Sequence, residues 1–440
     1  MINSKLKITF LLVAFSVFSL QLKSQLNFTG LDSLLTYAER NSSTIKICHQ
    51  QSLMAKWTKV AALANTVNFK SPITYSSTDN LKLPVNFIPA EAFGGPAGSF
   101  RQITLGQQYV SNFNFNPQID IVNPYNWAKV KSASVSKEMT EVSNLINKKT
   151  LFENIAAAYY NSIALQEQII LTEKSLAASD TIRQIVKNKF NTGIVREQDL
   201  NNALVNQLNL NDKLVQLKVM YQQQLNALKI LCDISPSVQL TLQNQSSGEI
   251  SETNLKSNAD LNNRYFKLQN QFAKSELIAN RSSMLPVISL FYYQGWQQNS
   301  NTAFFDSKST WIQSNYIGVR ITVPFPPDVT KLSQSYNSKI NFRIASLNNT
   351  HTELQSELNN RGLELDYEKA LSAYQTGKQI FDLKNSNYLK SLNQYKEGIL
   401  STDNLLIAFN DMLNSQLNVV SAFSSAQFVK SKISINNSLK

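Results

Sequence analysis

Tyr395-Lys396-Glu397-Gly398-Ile399-Leu400 is the stretch whose reading decides the fold. Upstream of it an aromatic side chain returns every seventh residue, at Tyr367, Tyr374, Phe381, Tyr388 and Tyr395. Downstream, apolar or small residues step by three and four through Leu405, Ala408, Met412, Ser415, Val419, Ala422, Ala426 and Val429. Both patterns are coiled-coil seams, and a lone glycine between them marks a tight turn. Residues 366–420 therefore predict two antiparallel helices that meet at a tip.

The device occurs a second time, as Phe190-Asn191-Thr192-Gly193-Ile194-Val195, at an offset of 205 residues (398 − 193). Ile155, Ala158, Ser162, Leu165, Ile169, Thr172, Leu176, Ser179, Arg183 and Val186 lead into that tip in the same alternating steps, with Arg183 the one charged member. Leu200, Ala203, Gln207, Leu210, Leu214, Leu217, Tyr221, Gln224, Leu228 and Leu231 lead away from it. Leu200 and Ala203 fall on Leu405 and Ala408 at the same offset. Two seams in one phase about two glycines predict an internal two-fold repeat, residues 25–235 and 236–440.

The composition agrees with long helices and few turns, having only 12 glycines and 11 prolines in 440 residues. The formal net charge is +12. Lys5 and Lys7 precede an apolar run over residues 8–20, and a polar segment ends at Lys23-Ser24-Gln25, the order of a secretory signal peptide. Residues 1–24 are expected to be removed, leaving 12 − 3 = +9, since Lys5, Lys7 and Lys23 are the only charges lost. Cys48 and Cys232 do not describe a disulfide framework and read as packing residues in helices. No later stretch approaches the roughly 20 apolar residues of a membrane-spanning helix, so any insertion must use strands.

Such strands are present. After helical patterns over residues 31–64, broken at Asn41-Ser42-Ser43-Thr44, the period changes to two at Pro72. Residues 73–78 alternate weakly, and a Pro- and Gly-rich insert follows over 81–109. Then Phe113, Phe115, Ile119 and Ile121 alternate cleanly with Asn112, Asn114, Asn116, Gln118 and Asp120. In the second half, residues 287–296 after Pro286 are dense in aromatics. There Ile317, Val319, Ile321 and Val323 alternate with Gly318, Arg320 and Thr322. The spacing predicts β-hairpins over 72–122 and 286–324, each followed by one long helix, over 126–191 and 331–397. At ~1.5 Å per residue each helix would run roughly 100 Å if unbroken.

Strands with one apolar and one polar face suit a transmembrane barrel, with lipid outside and water inside. Four strands cannot enclose a lumen, which needs about eight, and hydrocarbon does not tolerate open edges. Several chains must then share one barrel. Its water-lining candidates are Asn112, Asn114, Asn116, Gln118, Asp120, Arg320 and Thr322.

The tips resemble those of the TolC-like outer-membrane efflux family. The resemblance lies in Phe190, Gly193, Ile194, Val195, Asp199 and Ala203, and again in Tyr395, Gly398, Ile399, Leu400, Asn404 and Ala408, with the prolines at 72 and 286 and the repeat. It implies an α+β membrane protein: a homotrimer with a shared twelve-stranded barrel, a periplasmic tunnel of long antiparallel coiled-coil hairpins, and an equatorial region including the linker 236–253. It also implies partners, namely outer-membrane lipid, a periplasmic adaptor touched by Gly193, Ile194, Val195, Gly398, Ile399 and Leu400, and an inner-membrane pump of RND or ABC type. The function implied is passive export of small molecules or metal ions, or type I protein secretion. The insert over 81–109 looks like an enlarged external loop. Two aspartates that ring the closed entrance in well-known members align with Asn404 and Ile407, so the gate candidates become Asp199, Asp403 and Asn404 across the two tips (190–199 and 395–404).

Other function classes find little support. His49 and His351 have no ligand-like partners at metal spacing, and no phosphate loop or nucleophile elbow is present. No enzyme activity, cofactor or metal is expected. A soluble periplasmic adaptor would carry one hairpin beside a glycine-containing lipoyl-like domain, which is not found. The positive charge is not clustered, and export argues against nucleic acid.

Overall fold

The computed structural model describes residues 25–243, 255–258 and 260–439. The expected signal peptide and most of the linker over 236–253 lie outside them. In chain order the elements are β1 (Gln25–Phe28), α1 (Leu31–Asn41), α2 (Ser43–Ala64), β2 (Ile73–Asp79), β3 (Val85–Pro89), β4 (Phe100–Thr104), β5 (Tyr109–Phe115) and β6 (Gln118–Val122). There follow α3 (Pro124–Asn191), α4 (Glu197–Cys232), β7 (Gln239–Leu242), α5 (Leu261–Ser282), β8 (Val287–Ser300), β9 (Trp311–Thr322), α6 (Val329–Lys396) and α7 (Thr402–Ser438). The helices α3 and α6 each hold 68 residues. Pro124 and Val329, Asn191 and Lys396, and Glu197 and Thr402 all keep the offset of 205 between the glycines.

The chain divides into two compact units. Of the described residues, one unit contains 25–52, 141–243, 255–258, 260–265 and 350–439; the other contains 53–140 and 266–349.

In the first unit the seam positions are those the periodicity selects. Ile155, Ala158, Ser162, Leu165, Thr172, Ser179 and Val186 are buried along α3, and Ala203, Leu210, Leu214, Leu217 and Leu228 along α4. Small hydroxyls sit comfortably in that seam because each finds a backbone acceptor one turn back: Ser162 Oγ donates to the Ala158 carbonyl at 2.7 Å and Thr172 Oγ1 to that of Gln168 at 2.7 Å. A second core gathers Leu34 and Ala38 of α1, Ile155 and Tyr159 of α3, Leu228 and Cys232 of α4, and Ile435 of α7. The parallel pair β1 and β7 closes it, in the register Leu26 with Leu240 and Phe28 with Leu242. Asp32 in the first turn of α1 and Arg40 in the last complement its dipole. The break after α1 is one residue, Ser42, whose Oγ donates to the Leu231 carbonyl at 3.2 Å.

Both cysteines are free and buried. Burial, with the neighbouring Asp233, pushes the Cys232 thiol up to about 12, so at pH 7 almost none of it is thiolate. Cys232 is expected to resist a maleimide in the folded protein and to react at the rate of a free thiol after denaturation, as mass spectrometry would read directly.

In the second unit an antiparallel sheet runs β2, β5 and β6, β8, β9. The polar-apolar run expected as one strand is broken at Asn116-Pro117, because a proline cannot supply a ladder N–H. The long strand β8 spans the break, pairing β5 through Gln294–Ser300 and β6 through Ile288–Phe291. The insert over 81–109 contains a separate hairpin, β3 with β4, that the sequence reading passed over. Its apolar and polar residues alternate too briefly between the prolines and glycines to announce strands.

Candidate functional site

Two places concentrate the residues singled out by the sequence: the tips, in the first unit, and the sheet, in the second.

Each tip is a Schellman turn, built by the same pair of backbone bonds. Gly193 N donates to the Phe190 carbonyl at 2.9 Å and Ile194 N to that of Lys189 at 2.9 Å. Gly398 N donates to the Tyr395 carbonyl at 3.2 Å and Ile399 N to that of Gln394 at 2.9 Å. The glycines have φ of 75° and 82°, the left-handed region in which a side chain is strained. Ile194 and Ile399 are 67% and 72% exposed, whereas Val195 and Leu400 turn into the cluster below. The return helices open with complementary halves of a capping box. Asp199 Oδ2 accepts from Arg196 N at 3.0 Å, and Ser401 Oγ accepts from Asn404 N at 3.4 Å.

The two tips are tied to one another. Lys189 Nζ donates to the Tyr395 carbonyl at 2.5 Å and lies 4.2 Å from the centre of the Tyr395 ring. Asn202 Nδ2 donates to Asp403 Oδ1 at 2.8 Å. Thus Asp199 caps a helix, Asp403 joins the hairpins, and Asn404 is exposed. Beneath these contacts Ile182, Val186, Ala203 and Leu210 share a cluster with Tyr388, Tyr395, Leu405, Leu406, Phe409, Leu413 and Leu417. Leu406, Phe409, Leu413 and Leu417 form a second apolar stripe on α7 that the single-seam reading missed. It is buried in a cluster that includes residues of both hairpins, and the signal for it was available in the apolar pairs Leu405-Leu406 and Ala408-Phe409.

Positions that share the offset of 205 carry different contacts in the two hairpins. Ser179 Oγ donates to Asn206 Oδ1 at 3.3 Å between buried side chains. At the offset of 205 stand Lys384 and Asp411, an ion pair with side chains 42% and 46% exposed. Near the first rung Asp180 accepts from Arg183, Gln184 and Gln207, and the Arg183 bond foremost holds its carboxyl below the usual range. An exposed pair contributes little, so Lys384→Met is expected to cost under about 1 kcal/mol, and less as salt rises. Thermal unfolding at two ionic strengths checks this.

The sheet has two chemically distinct faces, which its register assigns. Tyr75 pairs with Phe113, Phe113 with Trp296, Tyr292 with Ile317 and Leu290 with Val319, so these residues share one face with Ile73, Phe115, Ile119 and Ile321. Ile73, Ile317, Val319 and Ile321 on that face are each more than 60% exposed. The other face carries Ser76, Asn112, Asn114, Gln118, Arg320 and Thr322. Phe291 and Tyr293 also lie there, flat against Gly318 and Gly295, where a Cβ would come within 2.8 and 2.5 Å of the rings. The Arg320 guanidinium sits 4.7 Å over the Phe291 ring, and its Nη1 donates to Gln118 Oε1 at 3.4 Å. Tyr293 Oη donates to Asn114 Oδ1 at 2.8 Å.

Asn116 lies in the break between β5 and β6, outside the ladder. Asp120 differs from the other polar-face candidates, being only 4% exposed. Its carboxylate accepts from Asn68, Asn123 at 2.9 Å, Ser289 at 2.7 Å and Gln118 at 3.4 Å, so it fastens the end of the sheet instead of presenting a free charge. Among the described residues no group of three or more His, Cys, Asp or Glu is placed to hold a metal ion. No described helix is long and apolar enough to cross a membrane.

Residues 89–232 match the outer membrane efflux protein family. No curated protein sequence matches significantly. Among solved structures, the outer membrane protein VceC from Vibrio cholerae is similar with a TM-score of 0.72 and 16% identity, over 92% of this chain and 95% of that one. The outer-membrane channel OprN gives 0.76 and 12%, over 93% and 90%. The Campylobacter jejuni CmeC outer membrane channel gives 0.69 and 17%, over 92% and 85%. The resemblance read from the glycine tips is borne out, and the chain has the fold of these channels.

Proposed function

We propose that this chain is the outer-membrane exit duct of a tripartite efflux system, a passive channel for small molecules or metal ions delivered by an inner-membrane pump through a periplasmic adaptor. The observation that carries the reading is the five-stranded sheet, four strands wide because β5 and β6 share one side of β8, with one exposed apolar face and one polar face, continuous in sequence with helices of 68 residues. An apolar face so exposed is costly in water and suits hydrocarbon. The 12 residues of β9 rise ~3.4 Å each and, tilted by ~40°, would cover about 30 Å, a bilayer core.

The edge strands support a barrel shared between copies. Among the described residues β2 pairs only with β5 and β9 only with β8. Unpaired backbone groups in lipid cost several kcal/mol each, so further copies must complete the sheet, and three give the twelve strands implied by the family resemblance. In this assembly the polar face lines water, the hairpins of an internally duplicated chain continue the path through the periplasm, and the exposed Ile194 and Ile399 meet the adaptor. Of the two charged lumen candidates Arg320 is the exposed one, its guanidinium over Phe291 and bonded to Gln118, whereas Asp120 is buried.

Purified in detergent, the protein is expected to be a trimer, and in a planar bilayer to conduct ions. Arg320→Gln is expected to move the reversal potential toward cation preference, because a ring of three cationic groups is lost. A monomer that never conducts, or a protein that salt extracts from the membrane fraction, overturns the reading.

A further inference from the structure

At the end of the sheet away from its helices, the loop between β8 and β9 (residues 301–310) does not hang over the polar face. It folds back across the apolar one. Phe305 stacks on Tyr75 at 5.6 Å with planes 20° apart, Phe304 meets Tyr109 edge-on at 4.9 Å, and Phe305 lies 6.1 Å from Trp311. Tyr75, Tyr109 and Trp311 all belong to the apolar face by register. So does Gln298, which is 4% exposed because the loop covers it, its Nε2 donating to the carbonyls of Asp306 at 2.7 Å and Ser309 at 2.9 Å.

The loop is built to hold this position. Asp306 accepts from Thr302 Oγ1 at 2.6 Å, Ser300 Oγ at 2.7 Å, Lys308 N at 2.9 Å and Ser309 Oγ at 3.3 Å. These bonds, Thr302 foremost, keep its carboxyl far below the usual carboxylate range. Phe305, 61% exposed, has φ of 55°, where glycine or asparagine would be relaxed and a bulky ring is strained. An exposed aromatic held in a strained backbone by four bonds to one carboxylate is not what solvent alone would select.

We infer that the 301–310 loop, with Tyr75, Tyr109, Phe304, Phe305 and Trp311, is a membrane-interface anchor that seats the sheet at the boundary between headgroups and acyl chains. The inference rests on the exit-duct reading and names what the helix-distal rim binds. Aromatic rings suit that boundary, where one side is apolar and the other hydrated. The charged Asp306 and Lys308 and the loop's polar groups exclude a deeper seat. A loop committed to the lipid side does not itself cover the polar face.

The test uses the four tryptophans. A protein keeping only Trp311 (Trp57→Phe, Trp127→Phe, Trp296→Phe) is reconstituted into phosphatidylcholine vesicles brominated at shallow or deep acyl positions. Shallow bromines are expected to quench Trp311 at least twofold more than deep ones, with iodide in the water quenching weakly. Full quenching by iodide, or no quenching by either bromine series as for a ring buried between copies, overturns the inference. A protein keeping only Trp296, farther along the apolar face, separates the two ideas. If deep bromines quench Trp296 while Trp311 is open to iodide, the anchor falls and the duct stands. If lipid quenches neither, both fall. Should the triple replacement not assemble, the difference between the wild type and Trp311→Phe reads the same quantity.

Discussion

Truncating Phe409 to alanine is expected to cost about 3–5 kcal/mol, the range for deleting a fully buried aromatic. The ring is 0% exposed and lies 5.5 Å from that of Tyr388, in the cluster where α7 meets the other hairpin. Deleting it leaves a cavity in the cluster beneath the tips. Hydrogen exchange should show the amides from about 182 to 210 and 388 to 413 losing protection together, since the cluster ties the two hairpins. Phe409→Leu, which keeps most of the volume, should recover more than half of the loss. A loss under about 1 kcal/mol for the alanine variant would mean that the hairpins do not depend on this cluster, against the usual cost of such a truncation.

On the exit-duct reading, Gly398→Val is expected to abolish export while leaving the sheet intact. A β-branched residue at φ of 82° costs of order 1–3 kcal/mol, and the turn is only two bonds deep. Gly193→Val should behave alike, from φ of 75°. Steric crowding inside the chain is not the cause, because a Cβ at either glycine would find nothing within 4 Å. That open space separates two roles. Asparagine tolerates the left-handed conformation, so Gly398→Asn should keep the Schellman turn. If cells carrying Gly398→Asn tolerate exported compounds normally and Gly398→Val cells do not, the glycine serves the turn. If both lose tolerance, the partner needs bare backbone there. Normal tolerance in a cell carrying Gly193→Val together with Gly398→Val would remove the tips from the export mechanism.

The effects rank as burial and backbone geometry rank. Phe409 and the glycines act on groups that have no alternative, a ring without water and a turn without another low-energy conformation. The side chains of Lys384 and Asp411 are each nearly half exposed, and hydration compensates much of the loss of their ion pair.

Much of this was legible in the sequence because it is local. Helix seams follow from a period of 3.5 to 3.6, strand faces from a period of two, and the tips from a residue that alone enters the left-handed region cheaply. The alternation Asn112, Phe113, Asn114, Phe115 gave the two faces correctly, and the register now shows which residues share them. What periodicity does not carry is which apolar face meets which element. Leu406, Phe409, Leu413 and Leu417 read as off-seam residues, yet they are buried in a cluster that draws on both hairpins. Asp120 carries the pattern of an exposed polar residue, yet Asn68, Asn123 and Ser289, from three separate segments, enclose it.

By itself, the sequence determined the long helices and their lengths, the offset of 205 residues between the two tips, and the amphipathic character of the main strands, since each follows from a pattern of short period; β1, β7 and the β3–β4 hairpin it did not announce. Only the tertiary structure decided that one sheet joins strands from both halves through β8, that Lys189 and Asn202 tie the tips together, and that the 301–310 loop lies on the apolar face. Those contacts join residues tens to hundreds of positions apart. Their partners are chosen by shape, register and burial in three dimensions, which no repeat of short period records.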